Sequence, residues 1–563
     1  MQKKQTILVV ACLLVVILSV TLAYFTAQII GKEKNVTIKS ADLKIIFTDS
    51  DGSISGSNIE PGKWDVTKTF TIENKSNETY KYNIVIQDLV NTFVTEGYLQ
   101  YKITSTNGGY NMAEFKDVPK SETATDTILA YSASIDVGVT QSYTIEFKYA
   151  NDESVDQSED MGKTLSGKLF ITEGTEEPVT LLSQILKDNP TIQTRTDFDT
   201  TFTETNTGTL YKATESIAGN TPKDVYYFAG DAKNNWVKFG TFASDGPIKG
   251  YDAAGIFSKK YTTLEECNSA SSYSTNCSYD WRKGDPMYWR IIRTNHDGSI
   301  RLLYSGPSHN TTAGYIGASA FNSTHEDPMY VGYKYGTSGS LENNRLNTND
   351  STIKTYIDNW YKNNLTAYTK YLSNDAVYCN DRELASGSTY NTDNTGKTTF
   401  YYAPNERLSR NKTPTYNCTN NKDAFSVSNG EAKLTYPIGL MTADEIAYAG
   451  GKVYTSLTSP YAWYYLNSAG ESITGSLAGW WLLSPQMWHY DISVFYVSGS
   501  RDPDELKNDR VDQNNRVRPV LSLKSCIKYS TGNGTPETPY EIVKTESGCW
   551  WENEKNCENP FTG

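Results

Sequence analysis

Two stretches near the C-terminus, WWLLSP at residues 480–485 and VRPVLSL at residues 517–523, decide how this sequence is interpreted. Both are short apolar runs, and the first ends in a turn-forming Ser-Pro step, which is the pattern of buried β-strands bounded by turns. Large rings and an Arg-Pro step inside such runs predict side chains that belong to a packed scaffold. The residues that we assign to this scaffold are Trp480, Trp481, Arg518 and Pro519.

The polar stretch between these two runs, from Gln486 to Gln513, is the candidate functional region. It is rich in aromatic, arginine and short polar residues, and such side chains anchor or adapt interfaces with a partner. We interpret it as a binding face; the alternative is a solvated loop followed by a strand edge. The predicted ligand-binding residues are Trp488, His489, Tyr490, Asp491, Ser493, Phe495, Arg501, Asp502, Asp504, Glu505, Asn508 and Arg510.

The two runs, together with GLMTADEI at residues 439–446, resemble an exported domain of gut Firmicutes that is similar to the C-type-lectin-like fold of formylglycine-generating-enzyme relatives. That fold also carries the variable proteins of diversity-generating retroelements, in which a C-terminal stretch varies on a fixed scaffold. The resemblance implies a loop-rich domain with a late binding face. Catalytic members of the fold use a reactive cysteine pair, and none occurs between Trp480 and Leu523, so their activity is not carried over.

Residues 222–545 are predicted to form one large α+β domain. YWRIIR at residues 288–293 and SIRLLY at residues 299–304 flank an Asn-His-Asp-Gly turn and predict a β-hairpin. Apolar residues at helical spacing predict a helix over residues 352–364. The capping box at residues 442–445 predicts the start of a second helix.

Residues 36–173 contain short apolar or alternating segments, such as KTFTI at residues 68–72, that are separated by polar turn clusters. This spacing predicts an all-β sandwich. IEPG at residues 59–62 and FTIEN at residues 70–74, after a membrane sequence that ends with Ala-Tyr-Phe at residues 23–25, resemble camelysin-type exported matrix proteins. A sandwich with exposed edge strands also allows self-association by strand exchange.

The N-terminus has two lysines followed by an apolar stretch over residues 7–25. This pattern predicts either a cleaved signal peptide or a signal anchor that crosses the membrane if it stays uncleaved. The lysines place the rest of the chain outside, so we expect an anchored cell-surface protein or a secreted one. The predicted segments are a signal peptide or anchor (1–30), an all-β sandwich (36–173), a linker with one short helix (174–221), the α+β C-type-lectin-like domain (222–545) and a Cys/Trp-containing tail (546–563).

The net charge of −13 over 563 residues argues against a nucleic-acid partner, which requires a basic surface. Export to an oxidising compartment favours disulfides over reduced thiols. Zinc sites need closely paired Cys or His ligands, which this sequence lacks, so we expect neither a metal nor a cofactor. Cys526 is then either free or takes a partner from one of the predicted pairs. These pairs are Cys267–Cys277, Cys379–Cys418 and Cys549–Cys557.

Ser484, His489 and Asp491 are the residue types of a hydrolase triad, but no nucleophile elbow surrounds Ser484. We therefore expect a non-catalytic extracellular ligand-binding protein, adhesin- or receptor-like, whose partner is a protein or glycan on another cell or in the environment. The first alternative is a structural subunit of an extracellular matrix or fibre, built through the sandwich. The second is an enzyme related to the formylglycine-generating group that lacks its cysteine pair.

Overall fold

The structure is a computed structural model, and by its internal contacts the chain divides into two compact units. The N-terminal unit ends at Pro178, and the C-terminal unit begins at Val179. The structure describes residues 36–40, 43–49, 54–56, 60–95, 97–175, 177, 179–200, 202, 207–251, 257–270, 276–311, 314–392, 399–457, 459–465, 467, 479–499 and 505–544.

The N-terminal unit consists of two antiparallel sheets that enclose one core. Its strands are β1 (Val36–Ser40), β2 (Leu43–Asp49), β3 (Ile54–Gly56), β4 (Trp64–Asn74), β5 (Tyr80–Asn91), β6 (Leu99–Ser105), β7 (Lys116–Asp117), β8 (Ser121–Ile135), β9 (Thr140–Tyr149) and β10 (Leu165–Glu173), with one 3-10 turn at Ser158–Asp160. One sheet has the order β1-β2-β4-β9-β6-β7 and the other the order β3-β10-β5-β8.

Alternation along the strands explains this core. On β9, every second side chain from Gln141 to Tyr149 is buried, and the residues between them are more exposed. Phe70 on the neighbouring β4 stacks on Tyr143 with ring centroids 4.8 Å apart. Such a period of two places one face of each strand in the core, and the predicted β-rich character of this region is confirmed.

The C-terminal unit is also mostly β. Its strands are β11 (Thr191–Gln193), β12 (Thr209–Glu215), β13 (Lys223–Tyr227), β14 (Trp236–Thr241), β15 (Ile248–Tyr251), β16 (Phe257–Tyr261), β17 (Asn276–Tyr279), β18 (Pro286–Thr294), β19 (Ile300–Gly306), β20 (Ala318–Ser319), β21 (Lys334–Tyr335), β22 (Asn349–Asp350), β23 (Tyr378–Cys379), β24 (Phe400–Tyr401), β25 (Ala424–Phe425), β26 (Ile438–Gly439), β27 (Lys452–Val453), β28 (Trp480–His489), β29 (Asp491–Val497), β30 (Glu505–Arg510), β31 (Asn515–Arg516), β32 (Val520–Leu523), β33 (Tyr529–Thr531) and β34 (Glu541–Ile542).

Two sheets dominate this unit and contribute to one hydrophobic core. The first has the order β11-β12-β13-β18-β19-β32-β26, with β14 also paired to β18. The second has the order β20-β31-β28-β29-β30-β27, with β24 also paired to β28. The hairpin predicted over residues 288–304 is confirmed as β18–β19, at the centre of the first sheet.

Helices in the C-terminal unit are few and short. The α-helices are α1 (Leu181–Asp188), α2 (Leu264–Ser269), α3 (Leu341–Asn344), α4 (Thr352–Asn364), α5 (Ala403–Asn405) and α6 (Ala443–Ala449). Further single turns are the 3-10 turns Pro328–Val331, Thr366–Tyr371 and Asn421–Asp423 and the π-helical turn Glu406–Asn411. The predicted helix over residues 352–364 is confirmed as α4, and the capping box of Thr442 and Glu445 is confirmed at the start of α6.

The predicted α+β C-type-lectin-like fold is nevertheless wrong, because strands rather than helices make up most of the regular structure of this unit. Two helices were recognised from strong local signals, whereas strands of two residues, such as β23 and β31, leave no alternation in the sequence. The predicted signal peptide or anchor at residues 1–30 lies outside the described residues. Within the described ranges, no helix is long and apolar enough to cross a membrane.

The predicted scaffold residues of the WWLLSP and VRPVLSL runs lie in the interior of the C-terminal unit. Trp480, Trp481 and Arg518 are almost fully buried, and Pro519 is buried as well. The Arg518 guanidinium lies 4.9 Å from the centroid of the Trp480 ring, and its Nε donates a hydrogen bond to the Tyr304 carbonyl oxygen at 3.1 Å. Arg518 thus connects β19 of the first sheet with the start of β28 in the second.

Two of the predicted disulfides are confirmed. Cys267–Cys277 joins α2 to β17, and Cys379–Cys418 closes a loop with 39 residues of separation. Cys526 is disulfide-bonded rather than free. The predicted Cys549–Cys557 pair lies outside the described residues.

Candidate functional site

The candidate region from Gln486 to Gln513 folds as part of the second sheet rather than as a loop. Strands β28, β29 and β30 lie side by side in antiparallel pairs, and Ser493 lies opposite Arg510. Nearly every residue of β28 and β29 is buried except near their shared turn, whereas β30 is partly exposed from Lys507 to Arg510. Only part of the predicted set therefore reaches solvent.

Four of the predicted ligand-binding residues are buried, which corrects their assignment. Trp488 and Phe495 belong to the hydrophobic core, with 1% and 0% of their surfaces exposed. Ser493 and Glu505 are buried too, and their side-chain oxygens form hydrogen bonds within the protein. Because these four side chains face other parts of the protein, they do not form a surface for a partner. Three further predicted residues lie outside the described part of the chain: Arg501, Asp502 and Asp504.

Three predicted residues, His489, Tyr490 and Asp491, form the turn between β28 and β29 at the surface. The rings of His489 and Tyr490 are nearly perpendicular, with centroids 4.5 Å apart. His489 Nδ1 lies 2.5 Å from Thr399 Oγ1, which fixes the imidazole beside the strand end. The turn therefore presents two oriented rings at the end of the sheet.

A cluster of polar and charged side chains holds this turn against β30. Asp491 Oδ1 lies 2.6 Å from His325 Nδ1, and Arg510 Nη1 lies 3.7 Å from Asp491 Oδ2. Arg510 Nε also donates a hydrogen bond to Asp512 Oδ1 at 2.6 Å. Burial acts to raise the pKa of Asp512, but the hydrogen bonds from Arg510 and Gln513 outweigh it and lower that pKa. Asp512 consequently stays charged and keeps Arg510 in place.

Two tyrosines on this sheet combine exposure with an unusual backbone. Tyr454 and Tyr490 are 55% and 48% exposed, and among the described residues they are the aromatic side chains that stand most clearly in solvent. Their φ angles are +53° and +64°, in the left-handed region that bulky residues seldom adopt. Conformations of this kind persist where the surrounding structure enforces them, and they cluster at functional sites.

Tyr454 follows β27 and reaches across the face of β30. Its backbone N–H donates to the Leu506 carbonyl at 3.0 Å, and its hydroxyl donates to Asn508 Oδ1 at 2.8 Å. Gln486 Nε2 donates to the same hydroxyl at 3.4 Å. Tyr490 lies four residues beyond Gln486, or about 13 Å along a strand at about 3.3 Å per residue. We define the tyrosine face as Tyr454, His489, Tyr490, Asn508 and Arg510.

Buried arginine and glutamate side chains form a charge network at the β18–β19 hairpin. Arg293 on β18 contacts Glu215 at 2.9 Å and Glu445 at 2.8 Å, and Arg301 on β19 contacts Glu445 at 2.6 Å. Burial acts to raise the pKa of Glu445, but the charges of Arg301 and Arg293 outweigh it and lower that pKa. The network is internally compensated, as buried charges must be, and we assign it a structural role.

The three residue types of a hydrolase triad do not come together. Ser484 is buried, and its Oγ accepts a hydrogen bond from the Ala443 backbone N–H at 2.9 Å, at the start of α6. His489 contacts Thr399 and Asp491 contacts His325, as described above. The cavity that Ser484 lines has a volume of about 20 Å³, which is room for about one water molecule. A nucleophile without a nearby base does not form a catalytic triad.

Sequence reasoning missed Tyr454, His325 and Thr399. Each reaches the site through a contact across many residues of sequence: Tyr454 to Asn508, His325 to Asp491 and Thr399 to His489. No local pattern marks these positions, so a single sequence carries no signal for them.

No protein-family model matches this chain, and no curated protein matches it either. The family resemblances drawn from short motifs therefore remain predictions, apart from the C-type-lectin-like fold, which the strand-rich C-terminal unit contradicts.

Proposed function

We propose that this chain is a non-catalytic, extracellular ligand-binding protein of the adhesin or receptor type, and that its C-terminal unit contacts a protein or glycan partner through the tyrosine face. The observation that carries this proposal is the pair of exposed tyrosines, Tyr454 and Tyr490, both held at positive φ directly beside strands of one sheet. The proposal includes a place outside the cell, at the surface or secreted, and disulfides such as Cys379–Cys418 suit that compartment.

The exposed rings of Tyr454 and Tyr490 require an energetic explanation. A tyrosine in the left-handed region carries a backbone cost of about 1–2 kcal/mol relative to the ordinary conformation. Tyr454 recovers part of that cost through its hydrogen bonds with Asn508 and Gln486, and Tyr490 through its contact with His489, but the exposed half of each ring gains no burial free energy from folding. A partner that covers the rings would supply it, because tyrosines offer large rigid contact areas with a hydrogen-bonding tip.

The polar members of the face complement the rings. Asn508 accepts a hydrogen bond from the Tyr454 hydroxyl and is partly exposed, and Arg510 is held by Asp512 with its guanidinium partly in solvent. Arginine and tyrosine together are enriched where interfaces gain most of their free energy. The face therefore combines anchoring rings with oriented hydrogen-bonding groups.

The test is a binding screen of the purified full-length protein against a glycan array and an array of cell-surface proteins, followed by variants. We expect Tyr454→Ala and Tyr490→Ala each to weaken the binding of any hit by roughly tenfold or more, the effect of losing an interface anchor. Leu346→Ala is the matched control, because Leu346 is 50% exposed in the same unit. It lies two residues beyond the end of α3 and is not part of the tyrosine face. Hits that bind Tyr454→Ala and Tyr490→Ala as tightly as the wild type would overturn the proposal.

Self-association through the N-terminal unit has weaker support. Among the edge strands of the two described sheets, β3 and β7 have three and two residues, and β1 has five. The long edge strand β8 pairs with β5 through repeated register shifts. Short and bulged edges oppose strand addition, so we do not put the fibre forward as a second function.

A further inference from the structure

A cleft of about 220 Å³ opens in the C-terminal unit where the end of β14 meets the start of β18, the 3-10 turn Thr366–Tyr371 and β34. None of its lining residues belongs to the tyrosine face. The residues that matter for its chemistry are Lys238, Phe239, Thr241, Tyr368, Tyr371 and Glu541.

A break in strand pairing creates the cleft. β14 and β18 pair regularly up to Lys238, and the register then shifts before Thr241. Gly240, between them, has φ +78°, and a Cβ there would lie 3.3 Å from Leu365 Cδ2. Bulges of this kind redirect side chains next to binding sites. At this bulge β14 and β18 separate between Lys238 and Thr241, and they pair again where Thr241 lies opposite Pro286.

Aromatic rings form one wall of the cleft. The Phe239 ring lies 5.5 Å from the Tyr368 ring and 6.0 Å from the Tyr371 ring, both in edge-to-face arrangement. The hydroxyls of Thr241 and Tyr368 are 2.8 Å apart, and either one can be the donor. Phe239 and Tyr371 are only 3% and 4% exposed, so the ring surface open to a ligand is mainly that of Tyr368, which the other two rings support. Beside it, the hydroxyl pair can reverse its hydrogen bond to suit a ligand.

An ion pair lies at the side of the cleft. Lys238 Nζ is 3.3 Å from Glu541 Oε1, and the two side chains are 30% and 44% exposed. Their charges compensate each other, and the third charged group of the lining, Lys544, is exposed to solvent, which screens its charge. The ammonium can still donate and the carboxylate can still accept a hydrogen bond.

We propose that this cleft binds one neutral saccharide ring, either free or at the end of a glycan. Adjacent sugar hydroxyls both donate and accept, which matches a neighbouring ammonium and carboxylate, and the apolar C–H face of the ring matches the aromatic wall. The volume suits a single ring. Few polar groups set among aromatic walls are the usual composition of small-molecule sites. The proposal is independent of the tyrosine face, because the two sites share no residue.

The test uses saturation-transfer NMR and calorimetry on the full-length protein with four probes: glucose, galactose, mannose and N-acetylglucosamine. We expect at least one probe to bind at millimolar concentration. Tyr368→Ala should weaken that binding by about tenfold, because a ring contact is lost. Tyr368→Phe and Glu541→Gln keep the shape of the cleft and remove one hydrogen-bonding group each, and should weaken binding by roughly fivefold.

Leu346→Ala is the control, since Leu346 is 50% exposed in the same unit and lines neither the cleft nor the tyrosine face, so this variant should leave sugar binding unchanged. Failure of all four probes to bind would overturn the proposal. So would binding that Tyr368→Phe and Glu541→Gln both leave intact, or binding of free phenylalanine in place of every sugar. Loss of sugar binding in Tyr490→Ala, with Tyr368→Ala unaffected, would place the sugar on the tyrosine face instead and would also overturn it.

Discussion

Two hairpins of the C-terminal unit, β18–β19 and β28–β29, have similar apolar strands, but the turn of the first is largely buried and the turn of the second is exposed. Both begin with a tryptophan-containing apolar strand and continue into a second apolar strand. In the first, Asn295 at the turn is 1% exposed, its Nδ2 donates to Ser522 Oγ at 3.0 Å, and the His296 backbone N–H donates to Glu215 at 2.5 Å. In the second, Tyr490 at the turn stands half in solvent.

The strands of a hairpin therefore do not determine its role. The contacts of the residues at its turn do. The polar groups at the first turn are used inside the protein, where they join two sheet neighbours and a charge network. The second turn holds a strained tyrosine in the open. A turn of the first kind serves stability, whereas one of the second kind is available to a partner.

The largest expected difference in stability comes from removing one negative charge beside each hairpin. Glu445→Gln leaves Arg293 and Arg301 without their shared carboxylate in a fully buried place, so we expect a loss of about 3–5 kcal/mol in the free energy of unfolding. Asp512→Asn removes the partner of Arg510 at the partly exposed end of the second hairpin, so we expect a loss below about 1 kcal/mol. Urea titrations of both variants measure this difference. Equal losses would show that burial does not separate the two hairpins.

A smaller contrast uses one substitution at both places. Asn295→Ala leaves buried hydrogen-bonding groups of the first turn unpaired, so we expect a loss of about 1–3 kcal/mol in unfolding free energy. Asn508→Ala removes the acceptor of the Tyr454 hydroxyl, which water can replace at the surface, so the loss should stay below about 1 kcal/mol. Thermal unfolding of both variants checks the order. A larger loss in Asn508→Ala would mean that the tyrosine face is structural.

These contrasts also show what the sequence could predict. The β18–β19 hairpin and helix α4 have continuous local patterns, and both were predicted within a few residues. Trp488 and Phe495 were assigned to the binding face because their residue types suit interfaces, but nearly every residue of β28 and β29 is buried, so both faces of these strands are covered. Which elements cover a strand depends on contacts far along the sequence, so no pattern within one strand reveals it.

The first turn should also give stability a pH dependence. Burial acts to lower the pKa of His296 and Arg293 adds to that effect, but Glu215 and Asp297 outweigh both and raise the pKa above the usual 6.5. A raised pKa in the folded state means that the protonated imidazole stabilises the fold, fully below pH 6.5, and that this contribution is lost as the pH rises through the folded-state pKa.

The comparison of the wild type with His296→Asn isolates this contribution. We expect the wild type to exceed the variant in unfolding free energy by more at about pH 5.5 than at about pH 8.5. Urea titrations at the two pH values give the difference, and Asn retains the backbone N–H that contacts Glu215. If the difference in unfolding free energy between the wild type and the variant stays constant with pH, a protonated His296 does not stabilise this turn.

The smallest effect on stability, and the sharpest separation of stability from binding, should come from Tyr490 itself. Tyr490→Gly and Tyr490→Ala remove the same ring, but glycine adopts φ +64° without steric strain whereas alanine does not. The glycine variant should therefore be more stable than the alanine variant by about 1 kcal/mol, since the strain of a left-handed residue exceeds the extra chain entropy that glycine adds to the unfolded state. Both should lose partner binding equally, because binding depends on the ring and not on the backbone. If the two variants have the same thermal midpoint, the turn stores no strain; if either one binds like the wild type, the ring has no part in recognition, and the second hairpin then differs from the first only in being exposed.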